Sequence, residues 1–129
     1  MSWEKNGSVG TERVLRDDQS FELQVKSYFE HKGYRVKHTP WTRDEGYDLE
    51  CWHPRERKVL VECKRYTDKR VTIDEIRAFY GVLTKEGADK GYFITTSSFT
   101  KGARSFVETL PPHRATLNLV DGAGGTTVV

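Results

Sequence analysis

The sequence predicts an α/β protein in which helices pack on a mixed β-sheet. Along the chain, the predicted segments follow the order helix, three strands, helix, strand, helix, strand. A short polar connection joins the second strand to the third, which predicts an antiparallel hairpin. The later strands each return through a helix, so we expect them to be parallel by crossover. This order indicates an α/β sandwich around one mixed sheet.

Length and composition limit the classes of protein to consider. The chain has 129 residues, 36% hydrophobic and 31% charged, as in a single soluble domain with a heavily charged surface. It shows no membrane-length apolar run and no secretion signal, so we expect a cytoplasmic protein with no membrane partner. Cys51 and Cys63 fall within predicted strands and are expected to be buried, reduced thiols. The net charge of +2 excludes a global basic field.

Periodicity and end signals place the individual elements. We expect a flexible N-terminal arm over 1–16, a folded domain over 17–122 and a disordered tail over 123–129. Gly81 falls inside the second helix, at a cost of about 1 kcal/mol relative to alanine, which suggests close packing there. The helices are predicted over 18–32, 73–87 and 101–110, and the strands over 34–39, 47–53, 58–64, 91–96 and 115–120.

The strand predicted over 58–64 ends in charged residues with no turn residue to account for them. Side chains two apart in a strand share a face, so Glu62 and Lys64 point the same way and Cys63 points oppositely. Burying an acid beside a base costs free energy unless the two are paired or bind a ligand. Taken alone, this tripeptide has a plain explanation, an ion pair at the end of an edge strand.

The predicted hairpin brings a second carboxylate to the same place. If its turn centres near Arg55 or Glu56, Asp48 lies opposite Glu62 or Lys64, and directly opposed Cβ atoms are about 5 Å apart. Asp48, Glu62 and Lys64 would then converge on one face, at one end of the sheet. The ion pair of a frayed strand therefore becomes a candidate site with two acids and one base.

Two carboxylates beside one lysine form a natural site for a hard divalent ion. Mg²⁺ usually takes one or two carboxylates with waters and phosphate oxygens, and the backbone carbonyl of Cys63 is a further candidate ligand. An ion held by Asp48 and Glu62 would polarise a phosphodiester and lower the pKa of a bound water. Lys64 would orient or deprotonate that water, or stabilise the charge that develops on the phosphate. The pattern predicts phosphoryl-transfer chemistry.

Basic residues gather in places although the chain as a whole is nearly neutral. Clusters occur at 64–65, 69–70 and 101–104, while acidic residues are spread between them. Two interpretations stay open, a solvated surface or a local rim that binds phosphates. From charge and chain order, the residues that would contact a DNA backbone are Arg65, Lys69, Arg70 and Lys101.

Several short blocks, taken in order, resemble one nuclease family. Asp48 and Glu62-Cys63-Lys64 are similar to the PD-(D/E)xK nuclease motif, and the longer pattern resembles the Mrr-type restriction endonuclease catalytic domain. The set spans about residues 20–122 and is highly specific, although no single block is. The blocks are Phe21-Glu22, Gly33-Tyr34-Arg35-Val36, Asp44-Glu45-Gly46-Tyr47-Asp48-Leu49, Glu62-Cys63-Lys64-Arg65-Tyr66, Phe79-Tyr80-Gly81-Val82-Leu83, Lys90-Gly91, Thr95-Thr96-Ser97-Ser98-Phe99-Thr100 and Leu119-Val120-Asp121-Gly122.

The resemblance implies both a fold and an activity. The fold would be restriction-endonuclease-like, a three-layer α/β/α core around a central mixed sheet. The activity would be that of a Mg²⁺-dependent DNA endonuclease, with Mn²⁺ able to substitute. By the same resemblance, Asp48 and Glu62 are metal ligands, Lys64 is the catalytic lysine and Glu22, on the first helix, is an additional acid near the metal.

Three functions remain open from the sequence. The first is a restriction or DNA-processing endonuclease acting on double-stranded or branched DNA. The second, on the same fold, is a structure-selective nuclease such as a Holliday junction resolvase. The third is a non-catalytic DNA-binding module, against which the intact Asp48, Glu62 and Lys64 argue. Mrr-type enzymes normally add a recognition domain, so we expect target choice through DNA structure, a homodimer or a partner subunit, or else a fragment of a larger protein.

Overall fold

Helices cover both faces of one β-sheet in the computed structural model, which describes residues 15–42, 44–122 and 126–127. Within this part of the chain six strands lie in chain order across the sheet, so each strand pairs with the next. The helices are α1 (Asp17–His31), α2 (Ile73–Glu86) and α3 (Lys101–Glu108). The strands are β1 (Arg35–His38), β2 (Leu49–His53), β3 (Arg57–Lys64), β4 (Lys90–Thr95), β5 (Thr116–Val120) and β6 (Thr126–Thr127).

The pairing directions confirm the predicted mixed sheet. The β1–β2 and β2–β3 pairs are antiparallel, whereas the β3–β4 and β4–β5 pairs are parallel. In the hairpin, Leu49 lies opposite Val61, and continuing this register by one residue sets Asp48 against Glu62. The register is therefore one of the two that the hairpin connection predicts.

Strand alternation divides the core into two layers. On one face, Val25 and Phe29 of α1 pack over Cys63 and its neighbours of the same parity on β2 and β3. On the other face, Leu60 of β3 packs with Phe93 of β4 under α2 and α3. Because parity assigns Glu62 and Lys64 to the face of Leu60, they point away from Cys63, as the sequence predicts. Both cysteines are free and buried.

Local signals explain where the helices begin and end. Thr72 and Glu75 form the predicted capping box at the start of α2, and Gly87 ends that helix with φ 67°. The Oγ1 of Thr100 accepts a hydrogen bond from the N–H of Ala103 at 3.2 Å and caps α3. The caps at Thr72 and Thr100 therefore mark the starts of α2 and α3, which follow β3 and β4 in the chain.

The structure differs from the sequence-based expectation at a few positions. A Cβ added at Gly81 would meet nothing within 4 Å, so the close packing expected there is wrong. Thr126–Thr127 pairs with β5, where no regular structure is predicted. The rest of the predicted tail over 123–129, and the predicted arm up to residue 14, lie outside the described residues. None of the described helices is long and apolar enough to cross a membrane.

The sheet has two chemically different ends, named here by the direction of β3. At its carboxyl end, β3 finishes at Lys64 and β2 begins just after Asp48. All three helices also start there, since Val71 bridges to Phe99 ahead of α2 and α3, and Arg65 lies 3.6 Å from Asp17 of α1. The amino end holds the β2–β3 hairpin and the start of β4. Helix N-termini carry partial positive charge, so the carboxyl end suits anions.

Candidate active site

Asp48, Glu62 and Lys64 meet at the carboxyl end of the sheet. The Oδ2 atom of Asp48 accepts a hydrogen bond from the backbone N–H of Cys63 at 2.7 Å. The hairpin register sets Asp48 against Glu62, and the two carboxylates act on each other electrostatically. The Oε2 atom of Glu62 lies 3.2 Å from Lys64 Nζ. Two acids and one lysine therefore form a continuous polar group at this position.

A local departure from the strand ladder creates this arrangement. The N–H of Asp48 donates to the carbonyl of Val61 at 2.8 Å, one residue out of the regular hairpin register. The side chain of Asp48, rather than a backbone carbonyl, then receives the N–H of Cys63. Carbonyls two residues apart in a strand point to the same side. The carbonyl of Cys63 therefore faces the Asp48 side, as that of Val61 does, beyond the start of β2.

Burial and charge repulsion both act on the two central carboxylates. Burial raises the pKa of Glu62, and the adjacent Asp48 carboxylate raises it further, while Lys64 offsets part of the effect. Burial also raises the pKa of Asp48, although the N–H of Cys63 favours its charged form. Burial lowers the pKa of Lys64, but the Glu62 carboxylate outweighs it, and the net pKa is raised. With both acids ionised, the group would hold more negative charge than one lysine neutralises, and the raised pKa values express this cost.

Glu22 of α1 extends the group toward the other face of the sheet. Its side chain is buried, with 8% of the residue exposed, and burial followed by the Asp48 carboxylate raises its pKa. Its Oε1 atom accepts hydrogen bonds from Trp41 Nε1 at 2.7 Å and His38 Nε2 at 2.9 Å. The structure thus brings Glu22 into the electrostatic range of Asp48. The roles of Glu22, Asp48, Glu62 and Lys64 in catalysis stay predictions.

The sequence analysis does not place three further side chains at this end of the sheet. His38 ends β1, and Trp41 lies in the polar loop that follows it. Tyr66 donates its hydroxyl to Glu75, and burial and this acid raise the pKa of Tyr66 to about 12. An aromatic residue within a polar loop is the one signal that could have singled out Trp41, and nothing comparable marks His38.

The four predicted DNA-contacting residues lie at the same end, with different surroundings. Arg65 makes the ion pair with Asp17, and Lys69 lies over the Tyr66 ring, 4.5 Å from its centroid. Arg70 and Lys101 are exposed, and Arg70 makes no ion pair with another described residue. Arg65 therefore borders the carboxyl end on the side of α1, whereas Lys69, Arg70 and Lys101 lie close to the starts of α2 and α3 in the chain.

The donor atoms of the site fit an oxygen-coordinated ion that keeps several waters. Asp48 and Glu62 supply carboxylate oxygens at opposed positions, and the carbonyl of Cys63 faces the Asp48 side. Within the described residues, no three or more histidine, cysteine or acidic side chains form a metal-binding group. A closed cage of protein ligands is therefore not built here, whereas Mg²⁺ usually accepts one or two carboxylates and retains water.

The fold and site define a restriction-endonuclease-like α/β domain, and the comparisons with known proteins give the family. The restriction endonuclease family model of the Mrr catalytic type matches residues 16–124. The chain belongs to this family. Among curated proteins, the type IV methyl-directed restriction enzyme EcoKMrr of Escherichia coli (strain K12) is 43% identical over 65 residues. That match covers 50% of this chain and 20% of the relative, so the chain spans about a fifth of that protein's length.

Two solved structures share the fold. A protein of unknown function, AF1548, has a TM-score of 0.65 at 15% identity, covering 81% of this chain and 58% of that one. The DNA modification-dependent restriction endonuclease AspBHI has a TM-score of 0.53 at 17% identity, covering 95% of this chain and 42% of that one. At such low identity these structures show the shared restriction-endonuclease-like fold alone.

Proposed function

We propose that this chain is a metal-dependent DNA endonuclease domain that hydrolyses phosphodiester bonds at the carboxyl end of its sheet. The observation that carries the proposal is the convergence of Asp48 and Glu62, two partly buried carboxylates, beside Lys64. Ionising both acids in this partly buried place is costly unless a cation completes the group. Membership of a restriction endonuclease family supports DNA as the substrate.

Asp48, Glu62 and the Cys63 carbonyl would hold the ion, with Mg²⁺ as the natural choice and Mn²⁺ as a substitute. When bound, such an ion polarises the scissile phosphate and lowers the pKa of a bound water. Asp48 is already oriented for this role, because the N–H of Cys63 fixes one of its oxygens at 2.7 Å. Glu62 is oriented from the other side by Lys64 at 3.2 Å.

Lys64 supplies the positive charge next to the reacting phosphate. Its raised pKa keeps the ammonium group protonated at neutral pH. A protonated lysine donates hydrogen bonds to a water or a phosphate oxygen and stabilises negative charge in the transition state. This favours a stabilising and orienting role for Lys64 over the alternative in which it removes the proton of the water.

The DNA backbone would lie across the carboxyl end of the sheet. Phosphates there would meet the N-termini of α1, α2 and α3 and the rim of Arg65, Lys69, Arg70 and Lys101. Charges of this kind position a duplex without reading its sequence. We infer that target choice comes from DNA structure, DNA modification, a second copy of the chain or a partner subunit.

Modified DNA is a candidate substrate because of the relative EcoKMrr, which is described as methyl-directed. Cutting both strands of a duplex also needs two catalytic events, which a homodimer or two successive single-strand cuts would provide. Branched DNA belongs in the same test, since a junction resolvase is the second candidate on this fold.

The decisive experiment offers several DNA forms to the purified chain. Methylated and unmethylated plasmid and a synthetic four-way junction are incubated with Mg²⁺, Mn²⁺ or a chelator, and strand breaks are read on gels. We expect cleavage that needs the ion and is lost in Lys64→Ala. The matched control is Lys58→Ala on the same strand, whose Nζ is 2.8 Å from the Glu86 carbonyl, at the opposite end. Absence of cleavage of every DNA form with either ion would reject the enzyme.

A further inference from the structure

Both hydrogen bonds that Glu22 accepts end on the same carboxylate oxygen. Trp41 Nε1 lies 2.7 Å and His38 Nε2 lies 2.9 Å from Glu22 Oε1. No hydrogen bond to Glu22 Oε2 is present among the residues that the structure describes. With 8% of the residue exposed, Glu22 is more than nine-tenths buried. Among the described residues, Tyr80 Oη is the one buried side-chain oxygen or nitrogen without a partner, so Glu22 Oε2 reaches solvent and is open to a water or an ion.

The surroundings of the free oxygen favour a cation over a further hydrogen-bond donor. The Asp48 carboxylate acts electrostatically on Glu22 and disfavours its charged form. The nearby lysine, Lys64, makes its ion pair with Glu62. An ion or one of its waters at Glu22 Oε2 would meet negative charge from both Glu22 and Asp48.

The two donors are themselves held in place by the loop that reaches Asp48. His38 pairs with Leu49 across the sheet, and the next N–H, of Thr39, donates to the Asp48 carbonyl at 2.8 Å. The His38 and Trp41 rings pack edge to face with centroids 4.9 Å apart. The orientation of Glu22 is thus tied to the backbone that carries Asp48.

We propose that His38 and Trp41 are positioning residues that fix Oε1 of Glu22 and leave Oε2 for the divalent ion or a water bound to it. This inference rests on the proposed function, since it concerns the same ion. The alternative is a structural role, in which both side chains satisfy a buried acid. A structural role predicts lower stability on substitution but no change in the dependence on the ion.

The first test uses Trp41 as its own reporter. The chain contains three tryptophans, so Trp3→Phe with Trp52→Phe leaves Trp41 as the sole indole. Because the Trp41 N–H contacts Glu22 directly, we expect titration with Mg²⁺ to change its fluorescence along a saturating curve. The same titration of Glu22→Gln in this background should show no saturable change. The readout needs no DNA and no cleavage.

The second test measures ion dependence in substituted proteins. Trp41→Phe keeps an aromatic ring but removes the donor, and should raise the Mg²⁺ concentration for half-maximal thermal stabilisation and cleavage about tenfold. His38→Ala should do the same, whereas His38→Gln keeps a donor and should restore most of the ion dependence. The matched control is Trp52→Phe, since Trp52 is as exposed as Trp41, at 37% each, but lies on β2 away from Glu22. It should leave both readouts unchanged.

The outcomes separate this inference from the proposed function. If Trp41→Phe and His38→Ala lower the unfolding temperature but keep the wild-type Mg²⁺ dependence, the positioning role is overturned and the nuclease proposal stands. A Trp41 signal that ignores Mg²⁺ would also overturn it. If the signal saturates with Mg²⁺ and disappears in Glu22→Gln, yet no DNA form is cut, the positioning role stands and the nuclease proposal fails.

Discussion

The two ends of the sheet differ in how many basic partners their partly buried acids have. At the amino end, Glu56 accepts a hydrogen bond from Lys90 Nζ at 2.8 Å and another from the Tyr34 hydroxyl. At the carboxyl end, Asp48 and Glu62 share one lysine, and Glu22 adds a third acid. At the amino end, here called the paired end, Glu56 has its own lysine, whereas at the carboxyl end, here called the unpaired end, the partly buried acids outnumber the one lysine beside them.

The pKa shifts show what this balance does. Burial tends to raise the pKa of Glu56, but Lys90 and Tyr34 outweigh it and the net pKa is lowered. At the carboxyl end burial raises the pKa of Glu62, and Asp48 adds to it. At Glu56 the partners outweigh burial, whereas at Glu62 burial is the largest cause and the one lysine does not offset it. The paired end stabilises the fold, while the unpaired end stores an unfavourable interaction that a cation would relieve.

The largest expected effect comes from removing one acid at the unpaired end. In Asp48→Asn we expect cleavage to fall on the order of 10³-fold, because an ion ligand and its charge are lost. The unfolding temperature of the ion-free protein should stay unchanged or rise, since repulsion with Glu62 is relieved. Gel-based cleavage rates and thermal unfolding measure the two effects. Cleavage within tenfold of wild type would contradict the role of Asp48.

The second effect is a pH dependence of stability in the ion-free protein. A carboxyl group whose pKa is raised on folding binds its proton more tightly in the folded state. Its stabilising contribution is complete below the unfolded pKa and is lost as the pH rises through the raised, folded value. Unfolding temperatures should therefore fall from about pH 5 upward, and Mg²⁺ should restore them because the ion binds the charged form.

Glu62→Gln provides the control for this pH dependence. The amide does not titrate, so the decline of stability with pH should flatten, and added Mg²⁺ should stabilise the variant much less. A wild-type unfolding temperature that rises with pH over the same interval would show that the acids at the carboxyl end are not protonated in the folded protein.

The third effect tests the paired end. In Glu56→Gln the ion pair with Lys90 is lost, and its charge-assisted hydrogen bonds weaken. We expect a lower unfolding temperature, by a few degrees, with unchanged cleavage of DNA. The contrast with Asp48→Asn is the point of the experiment, because the two variants should change stability and activity in opposite ways. Loss of cleavage in Glu56→Gln at a temperature where the variant is folded would break the contrast.

Local rules were enough to predict the centre of the site. A short turn and side-chain alternation restrict the hairpin to a narrow choice of registers, and one of them sets Asp48 against Glu62. The opposite directions of Cys63 and its neighbours follow from the same alternation. The element order followed from hydrophobic periodicity and caps, and the mixed sheet with helices on both faces confirms it.

Tertiary placement is what those rules do not contain. The contact of Trp41 and His38 with Glu22 depends on how the loop after β1 folds against α1, and no periodicity describes that approach. Gly81 is a second case in which the sequence pattern does not predict tertiary placement. A glycine in a helix signals either a close neighbour or an exposed position, and the structure has the exposed one.

The smallest expected effect concerns DNA binding rather than chemistry. Arg70 and Arg55 are exposed at opposite ends of the sheet, and neither side chain has an ion-pair partner among the described residues. If DNA lies across the carboxyl end, Arg70→Ala should weaken binding and reduce the slope of log affinity against log salt by about 0.9. Arg55→Ala should leave that slope at the wild-type value. Binding is measured with a chelator present, so that no strand is cut. Equal slopes for both variants would place the DNA backbone elsewhere and remove the basic rim from the proposed interface. An effect of Arg55→Ala alone would place the DNA at the amino end of the sheet, away from the acids of the candidate active site.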